Sequence, residues 1–163
     1  MSDSWVINAS PVILLAKAGL IEHLSMVAKP LVVPQPVATE ITKVREEDAA
    51  ARWINGPGRQ FVRPAAFELP DLSSSGIGAG ERAVISWAAA NRDFTAILDD
   101  HEARIAAQRL GIKVLGTVGV VLRFKQAGLI PEAKIALLKI RSSGGYMSDA
   151  LLREALQRAG EHL

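Results

Sequence analysis

The sequence predicts an α/β fold in which helices cover both faces of a central, mainly parallel sheet. Short apolar segments of the kind that form buried strands alternate with longer segments whose apolar residues recur at helical spacing. No internal repeat, linker or low-complexity tract interrupts this alternation, and the end of the chain shows only helical patterns. Such an alternation is typical of a parallel sheet with helical crossovers. We therefore expect one domain over residues 1–163, with the helices from about 117 to 163 as a C-terminal extension.

The first half of the chain predicts three strands and three helices. The strand candidates are residues 4–8, 30–34 and 60–64, and the helical patterns cover residues 11–24, 36–44 and 45–54. Ser10 followed by Pro11 is typical of a helix N-cap and a first helical residue. Pro64 would interrupt a hydrogen-bonded ladder, which favours an edge position for its strand.

The second half begins with a loop-like segment, residues 68–80, that is rich in Gly and Ser. Further strand candidates are residues 95–98 and 112–116, and the helical patterns cover residues 80–92, 101–111, 117–128, 131–143 and 148–160. Gly111 stands where a helix is expected to stop.

The composition is that of a folded protein with a substantial core. Of the 163 residues, 49% are hydrophobic and 22% are charged, which is typical of globular domains. Cys is absent, so disulfides, thiolate metal sites and Cys nucleophiles are excluded. The apolar runs are too short to span a bilayer, and nothing near Met1 resembles a signal peptide. We expect a cytoplasmic protein without membrane contact; its net charge of +2 fits a polyanionic partner or a merely solubilising surplus.

Several acidic residues occupy unusual positions. Asp99 and Asp100 are adjacent at the joint between a strand and a helix, where like charges repel and burial would increase the cost. Glu40 lies at helical spacing from Val37, and Glu81 begins a similar apolar stripe, so both are expected on inward faces. A carboxylate in such a position is costly unless something compensates its charge.

Each of these residues also has an ordinary structural explanation. Asp99 or Asp100 would cap the following helix, and Glu81 would interact with the dipole of its own helix. Glu40 would form a surface ion pair, and Asn8 would form an Asx turn or a cap at the end of the first strand.

Taken together, the same residues predict a metal site. Asn8 and the Asp99–Asp100 pair end strands, and Glu40 and Glu81 belong to the adjoining helices. In an open parallel sheet these ends meet along one edge, where ligands bind. Oxygen ligands without a matching cluster of His or Cys favour a hard cation, Mg²⁺ or Mn²⁺.

Five segments carry a family resemblance: VINASPVILLAKAGLI, VPQPVATEI, GAGERAVISWA, AILDDHEARIAAQRLGIKVLGTVGVVLRFKQAGLI and LLKIRSSGGYMSDALLREALQRAGE. They resemble the PIN-domain ribonucleases, and within them the subgroup related to the VapC toxins of toxin–antitoxin pairs. The resemblance covers nearly the whole chain in order, and its most specific part is the Asp-Asp segment joined to LGIKVLGT.

The resemblance implies a PIN-like three-layer α/β/α fold and a compact acidic site that binds one or two divalent metals. The family's four acids map onto Asn8, Glu40, Glu81 and Asp100 or Asp99. Ser10 matches the hydroxyl of the family motif and is expected to orient the first acid or a bound water.

Asn8 departs from the family pattern, which has an acid at this position. An amide oxygen can coordinate a cation but carries no net charge, so metal affinity is expected to fall. An amide also cannot replace a carboxylate that orients or deprotonates the attacking water. The change is compatible with a natural, weakly active or inactive nuclease and with an introduced substitution that disables a toxin. Asn and Asp are similar in size, so the architecture is expected to survive.

The leading functional interpretation is a metal-dependent endoribonuclease, the toxin of a toxin–antitoxin pair, that cleaves RNA at the acidic site. Arg82 and Arg104 are candidates for phosphate contacts, although both also fit solvated helix faces. The resemblance further implies an antitoxin that covers the acidic groove, and homodimers are common among such folds. Two alternatives remain open: a catalytically inactive protein-binding module and a Mg²⁺-dependent phosphoacceptor domain. The second would have its acidic pair after the first strand rather than late in the chain.

Overall fold

The computed structural model describes residues 3–44, 48–72 and 76–163. Within these ranges the strands are β1 (Asp3–Ile7), β2 (Ala28–Pro34), β3 (Val62–Arg63), β4 (Phe94–Ile97) and β5 (Val114–Leu115). They form a five-stranded sheet in the order β3-β2-β1-β4-β5, and every neighbouring pair is parallel. Helices flank this sheet, which confirms the predicted α/β/α architecture.

The helices of the described residues are α1 (Ala9–Lys17), α2 (Leu24–Val27), α3 (Gln35–Val44), α4 (Ala49–Asn55), α5 (Ala79–Ala90), α6 (His101–Arg109), α7 (Thr117–Gln126), α8 (Ala133–Ser142) and α9 (Asp149–Arg158). Short 3₁₀ turns cover Ile21–His23, Pro57–Phe61 and Pro70–Leu72. None of the helices in the described ranges is long and apolar enough to cross a membrane.

The strand order places the ends of β1 and β4 side by side. The chain builds β1, β2 and β3 outward in one direction and then returns to pair β4 with the other side of β1. Ile7 faces Ile97 in this pairing, and the backbone N–H of Asn8 donates to the carbonyl of Ile97 over 3.1 Å. This reversal is a topological switch point, the place where open α/β sheets bind ligands.

The carboxyl-terminal parts of β1 and β4 are apolar and buried, as expected where helices cover both faces of the sheet. Val6, Ile7, Ile97 and Leu98 are each 0% exposed. Consecutive buried residues of this kind, without polar alternation, are what a doubly covered parallel sheet requires.

The first helix begins earlier than the sequence predicted. Asn8, rather than Ser10, is the N-cap, and α1 starts at Ala9. Pro11 is still in the first helical turn, where a missing N–H leaves no intrahelical hydrogen bond unmade. The predicted helix over residues 11–24 is also wrong in its length, because Gly19 adopts a left-handed conformation with φ of 72° and ends α1.

The remaining differences are small and occur at element ends. The helix predicted over residues 45–54 is described from Asp48, which caps α4 by accepting from the N–H of Ala51 over 3.0 Å; residues 45–47 lie outside the described ranges. The strand predicted over residues 60–64 is only β3, at the sheet edge as expected. The loop predicted over residues 68–80 contains a 3₁₀ turn, and residues 73–75 lie outside the described ranges.

Glu161 ties the end of the chain to the start of α8. Its carboxylate accepts from the N–H of Ala133 over 2.8 Å and from the N–H of Lys134 over 3.0 Å, and the ammonium of Lys125 lies 3.3 Å away. Burial opposes ionisation, but the two N–H groups and Lys125 outweigh it and lower the pKa of Glu161. The carboxylate therefore caps the N-terminus of α8 from outside the helix.

Replacing Glu161 by Gln is expected to lower the free energy of unfolding by about 1 kcal/mol at neutral pH, the usual size of a lost helix cap. Because the folded pKa is lowered, this stabilisation is fully present above the unfolded Glu pKa of about 4.3 and disappears as the pH falls through the folded pKa. Urea unfolding from about pH 7 to about pH 3 measures the difference. Glu132→Gln is the matched control, since Glu132 is the N-cap of α8 but its side chain forms no capping hydrogen bond. An equal loss in both variants would contradict the capping role.

Candidate active site

A cleft of about 880 Å³ opens at the carboxyl edge of the sheet, beside the switch point. Its lining includes the residues that the sequence predicted as a site, Asn8, Ser10, Glu40, Glu81, Asp99, Asp100 and Arg104. They come from the ends of β1 and β4 and from α1, α3, α5 and α6, which pack around that edge. The described lining does not include Arg82.

Asn8 lines the cleft and has a buried side-chain oxygen without a hydrogen-bond partner in the described part of the chain. Its side chain is only 6% exposed and, although Asn8 is the N-cap of α1, it forms no capping hydrogen bond. Among the described residues, Asn8 Oδ1 has no hydrogen-bond partner. A buried polar atom left without a partner costs about 1–3 kcal/mol. Because Asn8 also lines the cleft, this oxygen is a candidate ligand for a cation.

The side-chain oxygens of Asn8 and Glu40 both lie close to Gly80. A Cβ added to Gly80 would lie 2.8 Å from Glu40 Oε2 and 3.1 Å from Asn8 Oδ1, and the first distance is shorter than real Cβ contacts allow. Both oxygens therefore approach the same backbone atom of α5. A side chain at Gly80 would therefore displace Glu40 Oε2, the end of a flexible side chain, and would crowd Asn8 Oδ1.

The position predicted for Glu40 is wrong in one respect. Val37 and Ile41 are buried, as the helical spacing indicated, but Glu40 itself is exposed. Residues next to a buried stripe on a helix lie at its border, and this border faces the cleft. Glu40 thus reaches the site without the cost of a buried charge.

Glu81 and Asp100 extend the acidic group. Glu81 is partly buried, and burial, followed by the carboxylates of Asp100 and Glu40, raises its pKa, whereas Arg82 acts in the opposite direction. Asp100 is the N-cap of α6, because its Oδ2 accepts from the N–H of Ala103 over 2.9 Å. The capping role predicted for one member of the acidic pair is confirmed for Asp100, which also faces Glu81.

Asp99 is engaged differently from its neighbour. Its Oδ1 accepts from the N–H of Thr117 over 2.8 Å, and its Oδ2 accepts from Thr117 Oγ1 over 2.6 Å. Ser10 Oγ lies 3.5 Å from the same Oδ2. Asp99, at the end of β4, therefore holds the start of α7 through Thr117. It also contacts the start of α1 through Ser10. Sequence reasoning missed Thr117; its only signal was the hydroxyl that follows Gly116 in the LGT motif.

The two candidate phosphate-binding arginines lie in different surroundings. Arg104 lines the cleft and donates from Nη1 to the carbonyl of Leu98 over 3.0 Å. A Cβ on Gly116 would lie 2.7 Å from that Nη1, so this glycine leaves room for the guanidinium. Arg82 instead donates to Glu68 over 2.7 Å and to the carbonyl of Ile77 over 2.6 Å.

The chemistry of the site fits a hard divalent cation. The donors are carboxylate and amide oxygens, the ligands that Mg²⁺ and Mn²⁺ prefer, and one of them, Asn8 Oδ1, is unpaired. Across residues 3–44, 48–72 and 76–163, no three His, Asp or Glu side chains come close enough to hold a metal ion. The structure therefore shows candidate ligands for a cation but no formed metal site among the described residues.

Comparison with protein families identifies the chain. It matches the family model DUF3368, described as a PIN domain, over residues 4–161. Comparisons with curated proteins and with solved structures find no match. The family match spans nearly the whole chain and agrees with the all-parallel sheet and its flanking helices. The chain belongs to the PIN-domain family.

Proposed function

We propose that the protein is a metal-dependent endoribonuclease of the VapC-like type, and the toxin of a toxin–antitoxin pair. The PIN fold supports a nuclease-type function that involves nucleic acid. The observation that carries the proposal is the approach of Asn8 Oδ1 and Glu40 Oε2 to Gly80, in a cleft that also contains Glu81 and Asp100.

Four residues would hold Mg²⁺ or Mn²⁺: Asn8, Glu40, Glu81 and Asp100. When bound, the cation would lower the pKa of the attacking water and neutralise charge on the scissile phosphate. Asp99 is assigned a positioning role, because Thr117 donates to both of its oxygens. Ser10 shares this network and keeps the start of α1, next to Asn8, against β4.

Arg104 is the residue of this cleft proposed to bind an RNA phosphate. Its guanidinium uses Nη1 for the carbonyl of Leu98, and the group lines the cleft beside the acids. A guanidinium binds phosphate oxygens through several N–H groups in a fixed plane. Arg82 is less suited to this role, since its described hydrogen bonds go to Glu68 and Ile77 outside the lining.

A second candidate function is a catalytically inactive module that binds a partner protein. Asn8 favours it, because an amide at this position removes one negative charge from the cation site. The absence of a compact group of three acids among the described residues points the same way. Such a module would retain the groove for an antitoxin, or for a second copy of the chain, without chemistry.

Replacing Glu81 by Gln is expected to lower Mn²⁺ affinity at least about tenfold, because even changes to groups behind metal ligands cost 10- to 100-fold. Calorimetric titration with Mn²⁺ and an RNA cleavage assay with and without EDTA measure the effect. Glu102→Gln is the matched control, since Glu102 carries the same charge in the first turn of α6 but does not line the cleft. Equal Mn²⁺ affinity in both variants, or cleavage that resists EDTA, would contradict the assignment of Glu81.

A further inference from the structure

The cleft has a second end, which the metal chemistry does not use. It is formed by the connection between α8 and α9 and by the adjoining faces of those helices and α7. Tyr146, the only tyrosine in the chain, lies in this connection and in the cleft lining. It is 94% exposed, more than any other large hydrophobic residue of the described chain.

The backbone on either side of Tyr146 is anchored. Gly145 is buried and donates its N–H to the carbonyl of Ile140 over 3.0 Å. A Cβ on Gly145 would lie 2.8 Å from Ile140 Cγ2 and 3.3 Å from Leu14 Cδ1, so the chain passes closely over α8 and α1. On the other side, Met147 is 6% exposed. An exposed ring is thus carried between two buried residues.

The ends of the connection are also held together. Arg141, near the end of α8, forms an ion pair with Asp149, the first residue of α9, over 2.7 Å. Ser148 caps α9 by accepting from the N–H of Leu151 over 3.1 Å. These contacts restrain the connection before any ligand binds. A ring on a restrained backbone loses little conformational entropy on binding, because only its own side-chain torsions become fixed.

Base stacking explains this arrangement better than packing within the chain does. A ring that is 94% exposed contributes almost nothing to the protein core, yet it lies in the same cleft as the acids and Arg104. Single-stranded RNA presents unstacked bases alongside its phosphates, and aromatic side chains bind such bases face to face. The cleft therefore offers a phosphate-binding end and a base-binding end to one continuous strand.

We propose that Tyr146 is a stacking platform for an unpaired base of single-stranded RNA held in this cleft. The proposal rests on the proposed function, because it takes RNA as the ligand. It also narrows the substrate to a strand, loop or end whose base is free to leave its own stack. Tyr146 is a binding and positioning residue for the substrate and takes no part in the bond cleavage.

The test is binding of a labelled single-stranded RNA of about 12 nucleotides, measured by fluorescence anisotropy in EDTA so that no cleavage occurs. Tyr146→Ala is expected to weaken binding about tenfold, and Tyr146→Phe is expected to bind like the natural chain because it keeps the ring. Phe67→Ala is the matched control, since Phe67 is 51% exposed but does not line the cleft. All these side chains are exposed, so unfolding temperatures should stay unchanged.

A second measurement separates stacking from other contacts. The second measurement uses a series of RNAs that each lack the base at one position. The unsubstituted chain should bind one of these RNAs more weakly than the complete RNA. On that RNA, Tyr146→Ala should cause no further loss of affinity, because the base that the ring would stack on is already absent. Because the chain has one tyrosine, isotope labelling of tyrosine rings yields the aromatic NMR signals of Tyr146 alone. These signals should shift upfield when a base stacks on the ring.

Three outcomes would overturn the proposal. Unchanged RNA affinity in Tyr146→Ala would show that the ring does not contact the strand; a partner protein or a second copy would then be the better occupant. If Tyr146→Ala lowered the affinity equally for every base-deleted RNA, the ring would contact the RNA backbone instead of a base. RNA binding absent in the unsubstituted chain both in EDTA and with Mn²⁺ would refute the proposed function as well. A Tyr146-dependent affinity without metal-dependent cleavage would refute the nuclease proposal alone.

Discussion

Replacing Asn8 by Asp is expected to raise Mn²⁺ affinity at least about tenfold and RNA cleavage about 100-fold or more. The variant places a negative charge where Asn8 Oδ1 now lies unpaired against Gly80, next to Glu40 Oε2. A carboxylate there both attracts the cation and can orient or deprotonate the attacking water, which an amide cannot do. Calorimetry with Mn²⁺ and cleavage assays with EDTA controls measure both effects.

The Asn8→Asp variant should also change how stability depends on metal. Without a cation, another carboxylate next to Glu40 and Glu81 adds repulsion and lowers the unfolding temperature. Saturating Mn²⁺ should reverse this loss, because a ligand that binds only the folded state stabilises it by mass action. Asn55→Asp is the control, since Asn55 is exposed at the end of α4 and lies outside the acidic cleft.

The possible results separate the interpretations of Asn8. Firm metal binding and cleavage by Asn8→Asp alone would identify this chain, with Asn8, as a disabled nuclease whose acidic site is otherwise intact. Cleavage by both proteins would show that the amide is tolerated and that Glu40, Glu81 and Asp100 suffice. Failure of both proteins to bind Mn²⁺ would refute the nuclease proposal and leave Asp99 and Asp100 with structural roles only.

Local sequence signals predicted the order and type of the strands and of the helices other than α2, but not every boundary. Ser10 and Pro11 formed the strongest local signal for a helix start, yet the helix begins at Ala9. The reason is tertiary: the N–H of Asn8 donates to Ile97 on the neighbouring strand, which fixes where the strand ends and the helix begins. At Gly19 a local feature decides the boundary instead. The apolar pattern predicted that the helix continues past this residue, but Gly19 adopts a left-handed conformation and the helix ends there.

The residues of the candidate site were predictable as a set, but their separate roles were not. The sequence identified Asp99 and Asp100 together, and only the structure shows that Thr117 binds the first while the second caps α6. Thr117 lies 18 residues from Asp99, so no helical or strand period connects them. Gly80 is similar, since its importance depends on Glu40 from another helix. Such roles depend on contacts between elements, which a single sequence does not contain.

Replacing Gly80 by Ala is expected to abolish measurable Mn²⁺ binding and cleavage, tested most clearly in the Asn8→Asp background. The new Cβ would lie 2.8 Å from Glu40 Oε2, which must move away. Glu40 is exposed, so its side chain can rotate at little cost in stability, and alanine improves helix propensity by about 1 kcal/mol. The displaced carboxylate could no longer lie beside Asn8 Oδ1, so the same movement that spares the fold removes a candidate ligand from the site.

Gly119→Ala is the matched control for this prediction. Its Cβ would come closer to Leu115 Cδ1 than the Gly80 Cβ would to Glu40 Oε2, but this contact is with an apolar side chain instead of the candidate ligands. We expect Gly119→Ala to change the unfolding temperature more than Mn²⁺ affinity, and Gly80→Ala to show the reverse. Normal Mn²⁺ affinity in folded Gly80→Ala protein would mean that Glu40 and Asn8 do not bind the cation from their present positions. The convergence of these two oxygens would then be a packing feature, and the partner-binding module would become the better interpretation of this PIN domain.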